Sequence, residues 1–175
     1  MDFVALLRGV NVGASIRVDM ARLRSMCASL GLERVRTYIN SGNLLFSSDR
    51  DREALAQELR AAVSREFGAE VPVLVKTGEE MARIAAALPG DWEHGPQRRT
   101  DVAYLFAPVD FPGLAEDLPL KREYVDLRYI PGALLWNVAR ADLGRCGLSR
   151  IVGHRAYPFM TVRNANTARF LGRGG

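Results

Sequence analysis

The tightest constraint on this chain is that it nearly repeats itself. Near its start, Val4-Ala5-Leu6-Leu7 is followed by Tyr38-Ile39, a Gly42-Asn43 turn and Leu44-Leu45-Phe46. Further on, Val102-Ala103-Tyr104-Leu105 is followed by Tyr129-Ile130, a Pro131-Gly132 turn and Leu134-Leu135-Trp136. Each time a tyrosine-isoleucine strand enters a glycine turn and leaves through a Leu-Leu-aromatic strand. Hairpins commonly reuse β-formers and turn residues, but this agreement goes further than that habit requires. We infer a diverged duplication, so the first half sets the pattern for the second.

In that first half, the segment Phe3–Arg8 is apolar without alternation up to Leu7 and too short for a helix, which is the mark of a strand buried on both faces. Asp19 caps a helix whose inner stripe is Met20, Leu23, Cys27 and Leu30, with Val18 packing on Leu23 and Gly31 as the stop. Two strands follow around Asn40-Ser41-Gly42-Asn43. Ser48, with Asp51 three residues later, reads as the start of a second helix that faces inward with Leu55, Leu59, Ala62 and Val63 until Gly68. Val71–Thr77 is a fourth strand, and Pro72 suggests a sheet edge. The order is βαββαβ.

The predicted fold class is therefore α+β: two diverged ferredoxin-like (βαββαβ) halves with antiparallel sheets, plus a linking helix and a short C-terminal helix. Residues 1–77 form the first half. Residues 78–97 form the link, with a capping box at Thr77 and Glu80, a stripe of Met81, Ile84, Ala85 and Leu88, and a polar, glycine-containing loop. Residues 98–175 form the second half, in which the helix expected over Phe111–Asp117 is short and proline-flanked. The chain closes with a strand, a helix capped by Asn164 and ended by Gly172, and a tail expected to fray.

A chain of 175 residues buries about 70% of the surface it exposes unfolded, enough for a real core. No apolar stretch approaches the roughly 20 residues of a membrane span, and the start lacks the basic segment of an export signal, so a cytoplasmic location is expected. Cys27 and Cys146 are too few for a disulfide framework or a sulfur-rich zinc site. Cys27 has the spacing of a small core residue; Cys146 follows an arginine that would lower a thiol pKa, or is a bystander. His94 and His154 lie in separate loops without metal-ligand spacing and read as solvated. There is no Gly-x-Ser-x-Gly elbow, no Walker loop and no dinucleotide fingerprint. The sequence assigns no reaction, no metal and no cofactor. Asp101 and Asp126 read as ion-pair partners for arginines.

The net charge of +4 hides an asymmetry. From Arg128 onward there are eight arginines and one acid, a balance of +7, while residues 1–127 carry 16 bases and 19 acids, a balance of −3. The basic end is either a surface for phosphates and nucleic acid or a solvated face of a chain that has only two lysines, Lys76 and Lys121.

Three polar clusters fall at strand ends or turns. The first is Arg8 and Gly9 with Asn11 and Gly13; the second is Asn40 with Ser41, Gly42 and Asn43, beside Tyr38; the third is Arg163 and Asn164 with Asn166 and Thr167. They hold amides, hydroxyls, bare backbone and arginine, with almost no carboxylate. Such groups bind anions better than they move protons. The structural alternative is that Asn164 is only a cap, Ser41-Gly42-Asn43 only a turn and Tyr38 a strand residue.

Those same three segments resemble a bacterial family known only as domain of unknown function 1697. Its members show Leu-Leu-Arg-Gly-Ile-Asn-Val-Gly-Gly near the start, Thr-Tyr-Ile-x-Ser-Gly-Asn in the first hairpin and Arg-Asn-Trp-Asn-Thr near the end. The resemblance implies two related ferredoxin-like halves, no established reaction, and signature positions at Arg8, Gly9, Asn11, Gly13, Tyr38, Ser41, Gly42, Asn43, Arg163, Asn164, Asn166 and Thr167. Two departures stand out: Ala14 replaces a glycine and Ala165 a tryptophan, which either stacked on a ligand or filled core.

The leading expectation is a protein that holds a phosphate- or carboxylate-bearing small ligand between the Arg8 loop and the Arg163 helix N-terminus. Nucleic-acid binding through the basic C-terminal portion ranks below it, because the strands lack the aromatic-rich signature of RNA-reading sheets. A third reading makes the motifs purely structural, in an interaction module. No membrane partner is expected, and oligomeric state is left open.

Overall fold

The computed structural model describes residues 1–174, which divide into two compact units: Met1–Met81 with Arg173 and Gly174, and Ala82–Gly172. The first unit runs β1 (Asp2–Leu7), α1 (Met20–Ser29), β2 (Glu33–Tyr38), β3 (Asn43–Ser47), α2 (Arg52–Phe67) and β4 (Val73–Thr77). Its sheet has the order β2-β3-β1-β4 with every pair antiparallel. Phe3, Ala5 and Leu7 of β1 share a core with Leu23 and Cys27 of α1 and with Leu55, Leu59 and Val63 of α2. Val4 and Leu6 on the opposite face are buried too, which is why β1 is apolar at every step from Phe3 to Leu7.

Local chemistry sets the helix ends. The Asp19 carboxylate accepts from the Arg22 amide at 2.8 Å and starts α1. Asp51, not Ser48, caps α2: its carboxylate accepts from the amides of Glu53 and Ala54, while the Ser48 hydroxyl accepts from Arg50 in the preceding turn. A carboxylate outcompetes a hydroxyl at the positive end of a 16-residue helix. Gly68 ends α2 in the left-handed region at φ 66°.

Directly after β4 comes α3 (Gly78–Ala86), within which the first unit ends and the second begins. The amide of Glu80 donates to Thr77 Oγ1 at 3.1 Å and the amide of Thr77 donates to Glu80 Oε2 at 2.8 Å, the reciprocal pair that the sequence predicts. Thr77→Ala is expected to lower the unfolding free energy by about 1 kcal/mol, measured by urea denaturation.

The second unit contains β5 (Arg98–Leu105), α4 (Leu114–Asp117), β6 (Val125–Ile130), β7 (Ala133–Ala139), β8 (Met160–Asn164) and α5 (Ala165–Gly172). Its antiparallel sheet has the order β6-β7-β5-β8, the same arrangement as the first. The duplication extends to register. Val4 faces Leu45 and Ala5 faces Leu44; Val102 faces Leu135 and Ala103 faces Leu134. The connections diverge: four-residue α4 stands where the first unit has α1, and between β7 and β8 the chain makes 3-10 turns at Arg140–Asp142, Leu148–Gly153 and Tyr157–Phe159 where the first unit has α2.

Asn164 caps α5, its side-chain oxygen accepting from the Thr167 amide at 2.8 Å. In the tail, the Gly174 carbonyl accepts from Arg36 Nη2 at 2.6 Å; the expected fraying also concerns Gly175, which lies outside the described residues. Among the described residues no helix is long and apolar enough to cross a membrane.

Both cysteines are buried, and burial pushes the Cys27 thiol up to about 12. The arginine before Cys146 is engaged elsewhere: Arg145 pairs with Asp142 and lies over the Tyr124 ring. Neither thiol is expected to react with an aromatic disulfide reagent in the native protein, and both should titrate in denaturant.

Candidate functional site

In the first unit the structure brings two of the three clusters together. Arg8 follows the last residue of central strand β1, with its amide bonded to the Pro72 carbonyl at 2.9 Å. The loop beyond it turns through left-handed backbone at Gly9, Asn11 and Gly13. Asn11 holds the loop closed: its side-chain oxygen accepts from the Val18 amide, and its Nδ2 donates to the Val18 carbonyl and to Asn40 Oδ1 at 3.1 Å. Asn43 is fully buried and donates to the Tyr38 carbonyl and the Ser41 hydroxyl at 3.0 Å each. Gly42, at φ 72°, lets the hairpin touch β1: a Cβ there would lie 2.7 Å from both Leu7 Cβ and Val10 Cγ2. Asn11, Gly42 and Asn43 therefore build the turn and its packing against β1.

The third cluster belongs to the second unit. Arg163 faces Val102 across the β5–β8 ladder and is 9% exposed. Its Nη1 donates to Thr161 Oγ1 and to the Val162 carbonyl, both at 2.9 Å. Burial pulls the guanidinium pKa down to about 10. The first unit repeats the device: Lys76 faces Val4 at the same register place and is also buried. Asn166 donates to the His94 carbonyl at 3.3 Å, and Thr167 is buried in α5. Position 165 lies fully inside the protein, in keeping with a core rather than a stacking role for the side chain there.

Sequence reasoning missed Tyr104. It pairs with Thr161 across the ladder, on the face that carries Arg163. Its hydroxyl is buried and, among the described residues, has no hydrogen-bond partner. Burial pushes the phenol pKa up, and the nearby Arg163 charge opposes that. The available signal was the repeat, since Tyr104 falls at the place of apolar Leu6.

The histidines are not solvated loop residues. His94 Nδ1 donates to the Thr100 carbonyl at 2.9 Å and lies 3.3 Å from Asp101 Oδ1, leaving the side chain 22% exposed. His154 Nδ1 accepts from the Ala156 amide, and its Nε2 is 3.6 Å from Asp117. Asp101 and Asp126 do pair with arginines, Arg99 and Arg98 respectively. Among the described residues no three His, Cys, Asp or Glu side chains are grouped to hold a metal. A hollow of about 600 Å³ in the first unit is lined by Arg34, Arg36 and Arg173, but Arg34 is engaged with Asp2 and with the Ser47 hydroxyl.

Two four-stranded antiparallel sheets in one shared strand order, each with its own helices and followed by a C-terminal helix, define an α+β protein of two ferredoxin-like halves. Residues 1–136 match the family described as protein of unknown function (DUF1697). The chain belongs to that family. Among solved structures it is similar to the conserved bacterial protein SP0830 from Streptococcus pneumoniae, with 26% sequence identity and a TM-score of 0.84 over 99% of this chain and 97% of that one. No functionally curated protein matches it.

Proposed function

We propose that this is a cytoplasmic protein that binds a small phosphate- or carboxylate-bearing ligand, with Arg163 and Tyr104 holding its oxygens. The supporting observation is the Tyr104 hydroxyl, unpartnered among the described residues, on the same sheet face as a buried guanidinium. A buried hydroxyl without a partner costs about 1–3 kcal/mol, and native proteins rarely keep one without a use. An anionic oxygen accepts from both a phenol and a guanidinium, and such charge-assisted bonds are the strong ones. Arg163 also directly precedes the Asn164 cap of α5, where the helix end favours negative charge.

Thermal unfolding in orthophosphate and in a series of small carboxylates, at matched ionic strength against chloride, tests the reading. The proposal expects at least one anion to raise the midpoint of the wild type and to lose that effect in Arg163→Gln. Arg8→Gln asks the same question of the first unit's loop by itself. No anion-specific shift, or equal shifts in wild type and Arg163→Gln, would contradict the proposal. Salt-sensitive oligonucleotide binding without any response to small anions would replace it with nucleic-acid recognition.

A further inference from the structure

The core face of the second sheet is covered differently from that of the first. In the first unit, Leu55, Leu59 and Val63 of α2 fill the space against β1. In the second, the 3-10 turns that replace this helix leave a cavity of about 320 Å³. Trp136 and Val162 line it from the sheet, Leu148, Ile151 and Tyr157 from the turns, and Arg99 from the start of β5. The volume is at the small end of ligand sites, suited to one ring or a short branched chain rather than a nucleotide.

The polar end of this cavity is built, not incidental. Asp101 occupies the register place of Phe3, so the second unit has put a carboxylate where the first has an aromatic ring: Phe3 faces Phe46, and Asp101 faces Trp136. Asp101 is buried, and its Oδ2 accepts from Arg99 Nε at 2.6 Å and from Trp136 Nε1 at 3.2 Å. One carboxylate thus fixes the orientation of both a cationic and an aromatic lining residue. With Nε engaged, Nη1 and Nη2 of Arg99 have no hydrogen bond among the described residues, and the side chain is 42% exposed. An anchored guanidinium with two uncommitted nitrogens, beside an apolar and aromatic wall, matches a carboxylate attached to an apolar body.

We propose that this cavity binds a small monocarboxylate with an apolar body, the carboxylate on Nη1 and Nη2 of Arg99 and the body against Trp136. Side chains alternate along a strand, so this site lies on the opposite face of the sheet from Tyr104 and Arg163 and is independent of the anion site proposed above.

The Trp136 indole N–H reports on the cavity directly, because it donates to Asp101 and the chain has only one other tryptophan, Trp92. Its NMR resonance, assigned with Trp92→Phe, should shift saturably as benzoate or 2-methylbutyrate is added to the whole protein. Acetate, which has the charge alone, and benzyl alcohol, which has the ring alone, should each bind at least tenfold more weakly. Arg99→Gln should weaken benzoate at least tenfold and leave benzyl alcohol unchanged, whereas Arg163→Gln should leave the benzoate titration intact. A Trp136 resonance that responds to no carboxylate, or undiminished benzoate binding by Arg99→Gln, would overturn the proposal. Loss of benzoate binding in Arg163→Gln would overturn its independence.

Discussion

Gly42→Ala is expected to lower the unfolding free energy by about 3 kcal/mol, from two sources that Gly9→Ala separates. Both glycines have left-handed backbone, φ 72° at Gly42 and φ 70° at Gly9. An L-residue held there costs about 1–2 kcal/mol. At Gly9 a new Cβ would meet nothing within 4 Å, so that backbone penalty is the whole effect. At Gly42 it would meet Leu7 Cβ and Val10 Cγ2 at 2.7 Å. Leu7 Cβ cannot yield, because β1 is paired on both sides and the Leu7 amide itself donates to the Gly42 carbonyl at 2.9 Å. Overpacking of this kind adds about 1–3 kcal/mol. Urea denaturation of both variants checks the difference; equal losses would mean that the hairpin does not depend on close approach to the central strand.

Tyr104→Phe should separate stability from binding. A phenol that is hydrogen-bonded in the native state loses stability when its hydroxyl is removed. Here the hydroxyl is buried without a partner among the described residues, so its removal should leave the unliganded protein as stable as the wild type or more stable by about 1 kcal/mol. The same substitution should weaken binding of the stabilising anion at least tenfold, and Arg163→Gln should weaken it about 100-fold, because the guanidinium supplies charge as well as donors. Calorimetric titration and urea denaturation of the same samples give both quantities. Destabilisation of Tyr104→Phe with unchanged affinity would make the tyrosine an ordinary core residue.

Much of the fold was legible because its signals are local or periodic. The unbroken apolar run of β1, the Asp19 cap, the Thr77–Glu80 box and the Asn164 cap each depend on residues within a few positions of one another. The repeated Leu-Leu-aromatic strands marked the same ladder positions in both units. Ser48 reads as the start of α2 because a hydroxyl and a carboxylate three residues apart both suit a helix start, and only the backbone decides which amides come within reach. The site was less legible, since what matters there is burial. Tyr104 sits in an apolar run that gives no hint of a hydroxyl unpartnered among the described residues, and His94 lies in a polar loop that gives no hint of a bond to Thr100 or of an Asp101 carboxylate 3.3 Å away. Asp101 is legible as an ion-pair partner for an arginine, but the place of Arg99 and Asp101 beside a cavity follows from the missing second helix, which the strand pattern conceals.

Whether Tyr104 and Arg163 receive an anion is decided by a crystal structure of the protein grown with the anion that stabilises it, and with selenate, whose anomalous signal marks its position. An anionic oxygen is expected within hydrogen-bond reach of both the Tyr104 hydroxyl and the Arg163 guanidinium. A water molecule on Tyr104, with anions bound only at other places on the molecule, would contradict it.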